Sequence, residues 1–71
     1  MDRKKELENC LIELMRSLGM TEVRMMLSLA LIRAHHLHEE MVDWIAHYKG
    51  RADDLTLQAF MLKLNELTEE N

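Results

Sequence analysis

The apolar residues in the first quarter of the chain recur with the period of an α-helix. They form a single stripe at spacings of three and four residues: Leu7, Cys10, Leu11, Leu14, Met15 and Leu18. Such a stripe is typical of a helix with one buried face. Asp2 suits the N-cap position, and Gly19 suits the residue just beyond the helix end. We therefore predict a first helix from about Asp2 to Leu18, with this stripe, Cys10 included, facing the core.

The middle of the chain carries a longer pattern with an alternating four-three spacing. It comprises Val23, Leu27, Ala30, Ala34, Leu37, Met41, Trp44 and Tyr48. Thr21 can cap its start, and Gly50 is the first breaker after it. The pattern predicts one long central helix whose inward face is this stripe, joined by Met26 and Ile45. A break at Ala34–His38, where three histidines cluster, is the alternative. The absence of a capping residue there favours continuity.

A last helix is predicted from about Asp54 to Glu69. Asp53, Asp54 or Thr56 can cap it. Its inward stripe is Leu57, Phe60, Met61, Leu64 and Leu67. Residues 1–71 are too few for more than one domain. The expected fold is therefore a single all-α domain, a bundle of three helices, or of four if the central helix breaks.

The first half of the central helix is apolar on nearly all sides. Behind the main stripe lie Met25, Leu29 and Ile32. One flanking helix covers one stripe, so this second set needs another cover, and an exposed apolar patch marks an interaction site. The simplest cover is a second copy of the chain, which predicts a two-fold homodimer. In the alternative, the chain bends at Ala34–His38 and buries these three residues within itself.

The composition also indicates that this chain is stabilised by association with another chain. The chain has only 71 residues, 48% of them apolar, and small domains often rely on disulfides, metals or oligomerisation. A single cysteine excludes an intrachain disulfide and fits a reducing compartment. No secretory signal is visible, and no apolar run is long enough to span a bilayer. We expect a cytoplasmic protein without a membrane association.

Charge is distributed unevenly. The net charge is −4; residues 1–37 carry six basic and five acidic groups, whereas residues 38–71 carry three basic and eight acidic groups. The acidic second half would suit a basic partner protein. Its candidate binding residues are the acids Glu39, Glu40, Asp43, Asp53 and Asp54 and the aromatic residues Trp44 and Tyr48.

Binding to DNA is the rival interpretation. Thr21–Arg33 and His38–Lys49 would form the two helices of a helix-turn-helix. The second of these, the recognition helix, carries three acids and one lysine, the wrong sign for a groove lined by phosphates. We therefore do not expect nucleic acid as a partner.

The histidine cluster invites a metal interpretation. His36 and Glu40, His35 and Glu39, and Asp43 and His47 are pairs four residues apart. Helical zinc sites use such pairs, but no HExxH or ExxH motif is present, so a solvated polar face is expected instead. The same histidines would allow association to change near about pH 6.

No residue set predicts catalysis. Cys10 is expected to be a buried thiol, the serines lack a partner histidine and acid, and no phosphate-binding glycine loop exists. We expect neither an enzyme nor a bound cofactor or metal. The sequence favours an acidic helical protein-interaction module, self-associating, that serves as an adaptor, inhibitor or regulatory subunit; the alternative is a helix-turn-helix DNA-binding regulator. The predicted protein-binding residues are Met25, Leu29, Ile32, Trp44, Tyr48, Glu39, Glu40 and Asp43.

Overall fold

The computed structural model describes residues 2–48 and 55–69, and the regular structure within them is helical. The four helices are α1 (Arg3–Ser17), α2 (Glu22–Ala34), α3 (His38–His47) and α4 (Leu57–Glu69). Helix α1 packs against α2 and α3, and α2 packs against α4. The predicted all-α bundle is confirmed in its four-helix form.

Three of the four described helices, α1, α2 and α4, begin at a predicted cap. The Asp2 carboxylate accepts a hydrogen bond from the backbone N–H of Lys4 at 3.0 Å, and the Thr21 hydroxyl accepts one from Arg24 at 3.2 Å. Thr56 caps α4 by accepting from the N–H of Ala59 at 3.1 Å. Each cap satisfies a backbone donor that the first helical turn leaves open. The other two suggested caps of the last helix, Asp53 and Asp54, and the predicted stop at Gly50 lie outside the described residues.

The end of α2 shows why the predicted continuous helix is wrong. His36 adopts a left-handed backbone with φ of 55°, the conformation that Gly19 adopts beyond α1 with φ of 82°. The Leu37 N–H donates to the carbonyl of Ile32 at 2.9 Å, and the His36 N–H donates to Arg33 at 3.3 Å. This pair of bonds is the Schellman arrangement that terminates helices.

The two helix-ending turns are built alike on their apolar side. After α1, the N–H of Met20 donates to the carbonyl of Met15 at 3.1 Å, as Leu37 does to Ile32. Both pairs of side chains are buried. An apolar contact between these two positions commonly accompanies the motif, so both reversals are fixed by the core as well as by backbone bonds.

The core lies where the inward faces of all four helices meet. Its fully enclosed members are Leu11, Met15, Ile32, Leu37, Met41, Phe60 and Leu64. The inward stripe predicted for the last helix is confirmed: Phe60, Leu64 and Leu67 are buried, and Leu57 and Met61 are partly buried. Ser28 is buried as well, with its hydroxyl 3.9 Å from the Met20 sulfur and 3.8 Å from that of Met61. A small residue at this point lets α2 approach α4 closely.

The face of α2 that turns inward is the opposite of the predicted one. Met25, Leu29 and Ile32 are 5%, 8% and 0% exposed, so the fold of one chain encloses them. The expectation that they need a second copy to cover them is wrong, and the alternative of a bend that buries them is observed. The predicted stripe assumed one unbroken helical phase; the left-handed His36 resets that phase between α2 and α3.

Candidate functional site

The side of α2 that faces away from the core is apolar along its whole length. Val23, Met26 and Leu27 are 68%, 70% and 59% exposed. Together with three further exposed residues they form what we call the α2 outer face: Val23, Met26, Leu27, Ala30, Leu31 and Ala34. Most isolated exposed apolar residues need no explanation, but a contiguous set along one helix marks a binding surface. The surplus of apolar surface predicted for this helix is therefore present, on the other face.

A small groove borders the outer face on one edge. It has a volume of about 130 Å³ and lies between α1 and α2, lined by Ile12, Arg16, Glu22, Met25, Met26 and Leu29. Arg16 and Glu22 approach to 3.9 Å at its rim. The groove continues the apolar surface from Met26 towards α1.

The far end of α2 is tied to α1 by a charged cluster of Glu8, Arg33 and His38. Arg33 donates through Nε and Nη2 to the two Glu8 oxygens, at 2.9 and 2.8 Å. His38 Nε2 lies 2.8 Å from Glu8 Oε2. The Arg33 and His38 hydrogen bonds lower the pKa of the Glu8 carboxyl from 4.5 to about 2. An ionised carboxylate only accepts, so Nε2 carries the hydrogen.

This cluster has a structural consequence for the outer face. The Glu8 and His38 side chains are 15% and 8% exposed, and they connect α1 to the first residue of α3. Arg33 joins them from the last turn of α2. Three helices are thereby fixed relative to one another at the point where the phase of the chain changes. The cluster therefore positions α2, which carries the outer face, relative to α1 and α3.

The acids of α3 lie on the surface. Glu39, Glu40 and Asp43 are exposed, and α3 contains neither lysine nor arginine. Glu39 pairs with Arg3 at 3.4 Å, a contact between two highly exposed groups. Glu40 and Asp43 border a groove of about 350 Å³ between α3 and α4, together with Trp44, His47, Lys63 and Leu67. Lys63 pairs within α4, with Glu66 at 3.1 Å.

The two predicted aromatic binding residues are partly buried. Trp44 and Tyr48 lie at the end of α3 with ring centroids 5.2 Å apart and planes tilted by 56°. Trp44 also packs against the core. The structure thus brings Trp44 together with Glu40 and Asp43 at one groove, whereas Met25, Leu29 and Ile32 are buried.

The other chemically interesting residues are dispersed. His36 is exposed in the turn, whereas His38 is buried against Glu8. Within the described part of the chain, no group of three or more histidine, cysteine or acidic side chains is placed to hold a metal ion. The prediction that Cys10 is buried is wrong, since its side chain is exposed on α1.

Comparisons add no relative from which a role is inferred. Searches with this chain match no protein-family model, no curated protein and no solved structure. Over residues 2–48 and 55–69, no helix has both the length and the apolar character to cross a bilayer.

Sequence reasoning missed the outer face although a signal for it existed. The three leucines of α2 and its two methionines occupy all sides of the helix, so periodicity alone does not choose the inward side. Ser28 lies on the same side of α2 as Met25 and Ile32. A small residue permits close contact between helices, so Ser28 indicates that this side of α2 packs against the rest of the fold. If the chain is known to leave the helix at His36, the apolar spacing of α3 no longer predicts which side of α2 faces the core.

Proposed function

We propose that this protein is a self-associating protein-interaction module whose α2 outer face pairs with a second copy. The observation that carries the proposal is the exposure of Val23, Met26 and Leu27 on one side of α2. Exposing these apolar side chains to water costs free energy, which their burial against a second copy would recover. In addition, the chain is small and bears an apolar surface that its own four helices do not cover.

The apolar surface of this face supplies free energy of the same order as the cost of forming a dimer. Val23, Met26, Leu27 and Leu31 are 38–70% exposed, so burying each contributes about 1–2 kcal/mol. A symmetric pair buries this set twice, which supplies about 8–16 kcal/mol. Association costs about 4–15 kcal/mol in lost freedom and ordering. A dissociation constant of about 1 μM requires a net gain of about 8 kcal/mol, which these figures reach where the gain lies near the top of its range and the cost near the bottom.

The acidic surface of α3 supports the second half of the proposal, an action on another protein. Glu40 and Asp43 form no ion pair with any described residue, and they border a groove that Trp44 helps to line. Such a surface suits a basic segment of a partner, since complementary charge favours fast and selective encounter. In this role the protein would serve as an adaptor, inhibitor or regulatory subunit.

Sedimentation equilibrium of the full chain tests self-association. The mass should rise from that of one chain towards that of two across about 1–100 μM. A constant mass of one chain up to millimolar concentration would remove self-association from the proposal.

DNA binding stays as the second candidate because of one observation. Helices α2 and α3 are joined by only three residues, 35–37, as in a helix-turn-helix. Against it, the exposed side of α3 carries Glu39, Glu40 and Asp43 and no lysine or arginine. A gel shift with random duplex DNA at low salt decides: we expect no shift, and a salt-sensitive shift would favour DNA binding.

A further inference from the structure

We infer that the second copy lies antiparallel on the α2 outer face, with the ends of the two helices joined by reciprocal Glu22–Arg33 pairs. This inference rests on the proposed self-association and specifies its geometry. Three independent features of α2 lead to it: the spacing of the outer-face residues, their sizes, and the position of the charges at its edges.

The spacing of the residues on the α2 outer face is the same when counted from either end of the helix. Its six residues are separated by three, one, three, one and three positions. A helix turned end to end therefore presents the same set of positions to its original. In a two-fold antiparallel pair the facing residues are Val23 with Ala34, Met26 with Leu31, and Leu27 with Ala30. A two-fold interface requires this kind of self-complementarity.

The sizes of the facing residues also match. Two of the three pairs set a branched side chain against an alanine: Leu27 against Ala30, and Val23 against Ala34. Large residues opposite small ones let two helix surfaces interdigitate at close distance. In a parallel pair in register, by contrast, Leu27 would meet Leu27 and Ala30 would meet Ala30, which leaves both a crowded and an empty place.

The charges at the edges select the antiparallel direction. Glu22 and Arg33 stand eleven residues apart, close to three full helical turns, and so lie on the same edge of α2 at its opposite ends. Same-side edges face each other in an antiparallel pair, which brings Glu22 of one copy to Arg33 of the other. The Glu22 side chain is 77% exposed and that of Arg33 is 55% exposed. Opposed helix dipoles favour the same direction.

Arg33 has capacity for such a contact. Its Nε and Nη2 groups bind Glu8, which fixes the guanidinium in place. Its Nη1 group makes no hydrogen bond to any described residue. A guanidinium has five N–H donors in a planar fork, so one side can hold Glu8 while the other meets a carboxylate of the second copy.

Disulfide trapping tests the direction. Two single-cysteine chains are made in a Cys10→Ser background, one with Leu27→Cys and one with Ala30→Cys, and are oxidised separately and as a mixture above the dissociation constant. The antiparallel pair predicts a linked dimer that forms at least about tenfold faster in the mixture, because only residues 27 and 30 face each other within disulfide reach. Self-linkage of the Leu27→Cys chain alone would indicate a parallel pair, and linkage in no sample would contradict the pairing of residue 27 with residue 30.

A charge variant supplies a second readout. Glu22→Arg should weaken association by about three- to tenfold at low salt, with the effect fading at high salt. Arg16→Gln is the matched control, since it removes the intrachain partner of Glu22 and leaves Arg33 untouched; it should change association by less than about twofold. Equal effects of the two variants would contradict the Glu22–Arg33 contact. A wild-type chain that never dimerises overturns the proposed self-association itself, whereas a dimer with the parallel linkage overturns only its direction.

Discussion

His36 adopts a left-handed backbone conformation just after α2, at the position that Gly19 occupies just after α1. Their φ angles are 55° and 82°, and the residue after each donates to the last turn of the preceding helix. Glycine adopts this conformation freely, whereas a residue with a Cβ atom is strained by about 1–2 kcal/mol. The break that creates α2 and α3 is thus made by a residue that does not prefer it, and it is held by the buried Leu37 and Ile32.

Glycine at this turn should stabilise the protein. We expect His36→Gly to raise the free energy of unfolding by about 0.5–1 kcal/mol, because the relief of backbone strain exceeds the added flexibility of the unfolded chain. Urea unfolding measures the change. His35→Gly is the control: its φ of −104° suits any residue, so glycine should lower stability there. Equal losses in both variants would contradict the strained turn.

Alanine at the first turn should have the opposite effect. At Gly19 an added Cβ meets no atom within 4 Å, so the φ of 82° alone opposes a side chain. We expect Gly19→Ala to lower the free energy of unfolding by about 1 kcal/mol. Thermal unfolding of this variant beside the wild type checks the value, and an unchanged midpoint would show that the turn relaxes.

The Glu8 cluster should make stability depend on acid. The pKa of the Glu8 carboxyl, about 2, lies below its ordinary value of 4.5. The stabilisation that the ionised Glu8 provides is therefore complete above about pH 4.5 and is lost as the pH falls towards 2. Glu8→Gln should lower the free energy of unfolding by about 1–3 kcal/mol at pH 7, and the gap from wild type should close between these two pH values.

The control for this prediction is Glu13→Gln. Glu13 is exposed on the same helix, and no described residue bonds to its side chain. Its substitution should change stability by less than about 0.5 kcal/mol at every pH. A gap between Glu8→Gln and wild type that stays constant down to pH 2 would contradict the lowered pKa of Glu8.

Two leucines of α2 should respond differently to truncation. Leu29 is 8% exposed and Leu27 is 59% exposed. Leu29→Ala should lower the free energy of unfolding of the monomer by about 2–4 kcal/mol, whereas Leu27→Ala should change it by less than about 1 kcal/mol. Unfolding is followed at a concentration below that of association. A larger loss of stability for Leu27→Ala than for Leu29→Ala would contradict the observed orientation of α2 and support the one that the sequence pattern predicted.

The sequence determines the helices more firmly than their faces. Asp2, Thr21 and Thr56 have side chains that cap helices, so three starts were predictable. The end at His36 was not, because histidine carries no strong preference for a left-handed turn and the bonds that fix it depend on burial of Leu37. Without that turn, the apolar spacing of α3 continues into α2 as if both were one helix. This continuation places Leu27 in the core and Leu29 on the surface of the chain. An apolar surplus on α2 was predictable, since a helix apolar on all sides exceeds what one chain covers here.

The central claim is that the α2 outer face, and no other apolar surface, joins two copies. Leu27 and Leu62 provide a matched pair, since they are 59% and 61% exposed on α2 and α4. The decisive measurement is sedimentation equilibrium of Leu27→Glu and Leu62→Glu at a concentration where the wild type is dimeric, with circular dichroism to confirm that both fold. We predict the mass of one chain for Leu27→Glu and of two for Leu62→Glu. A Leu27→Glu chain that folds and still dimerises as wild type does would contradict the account.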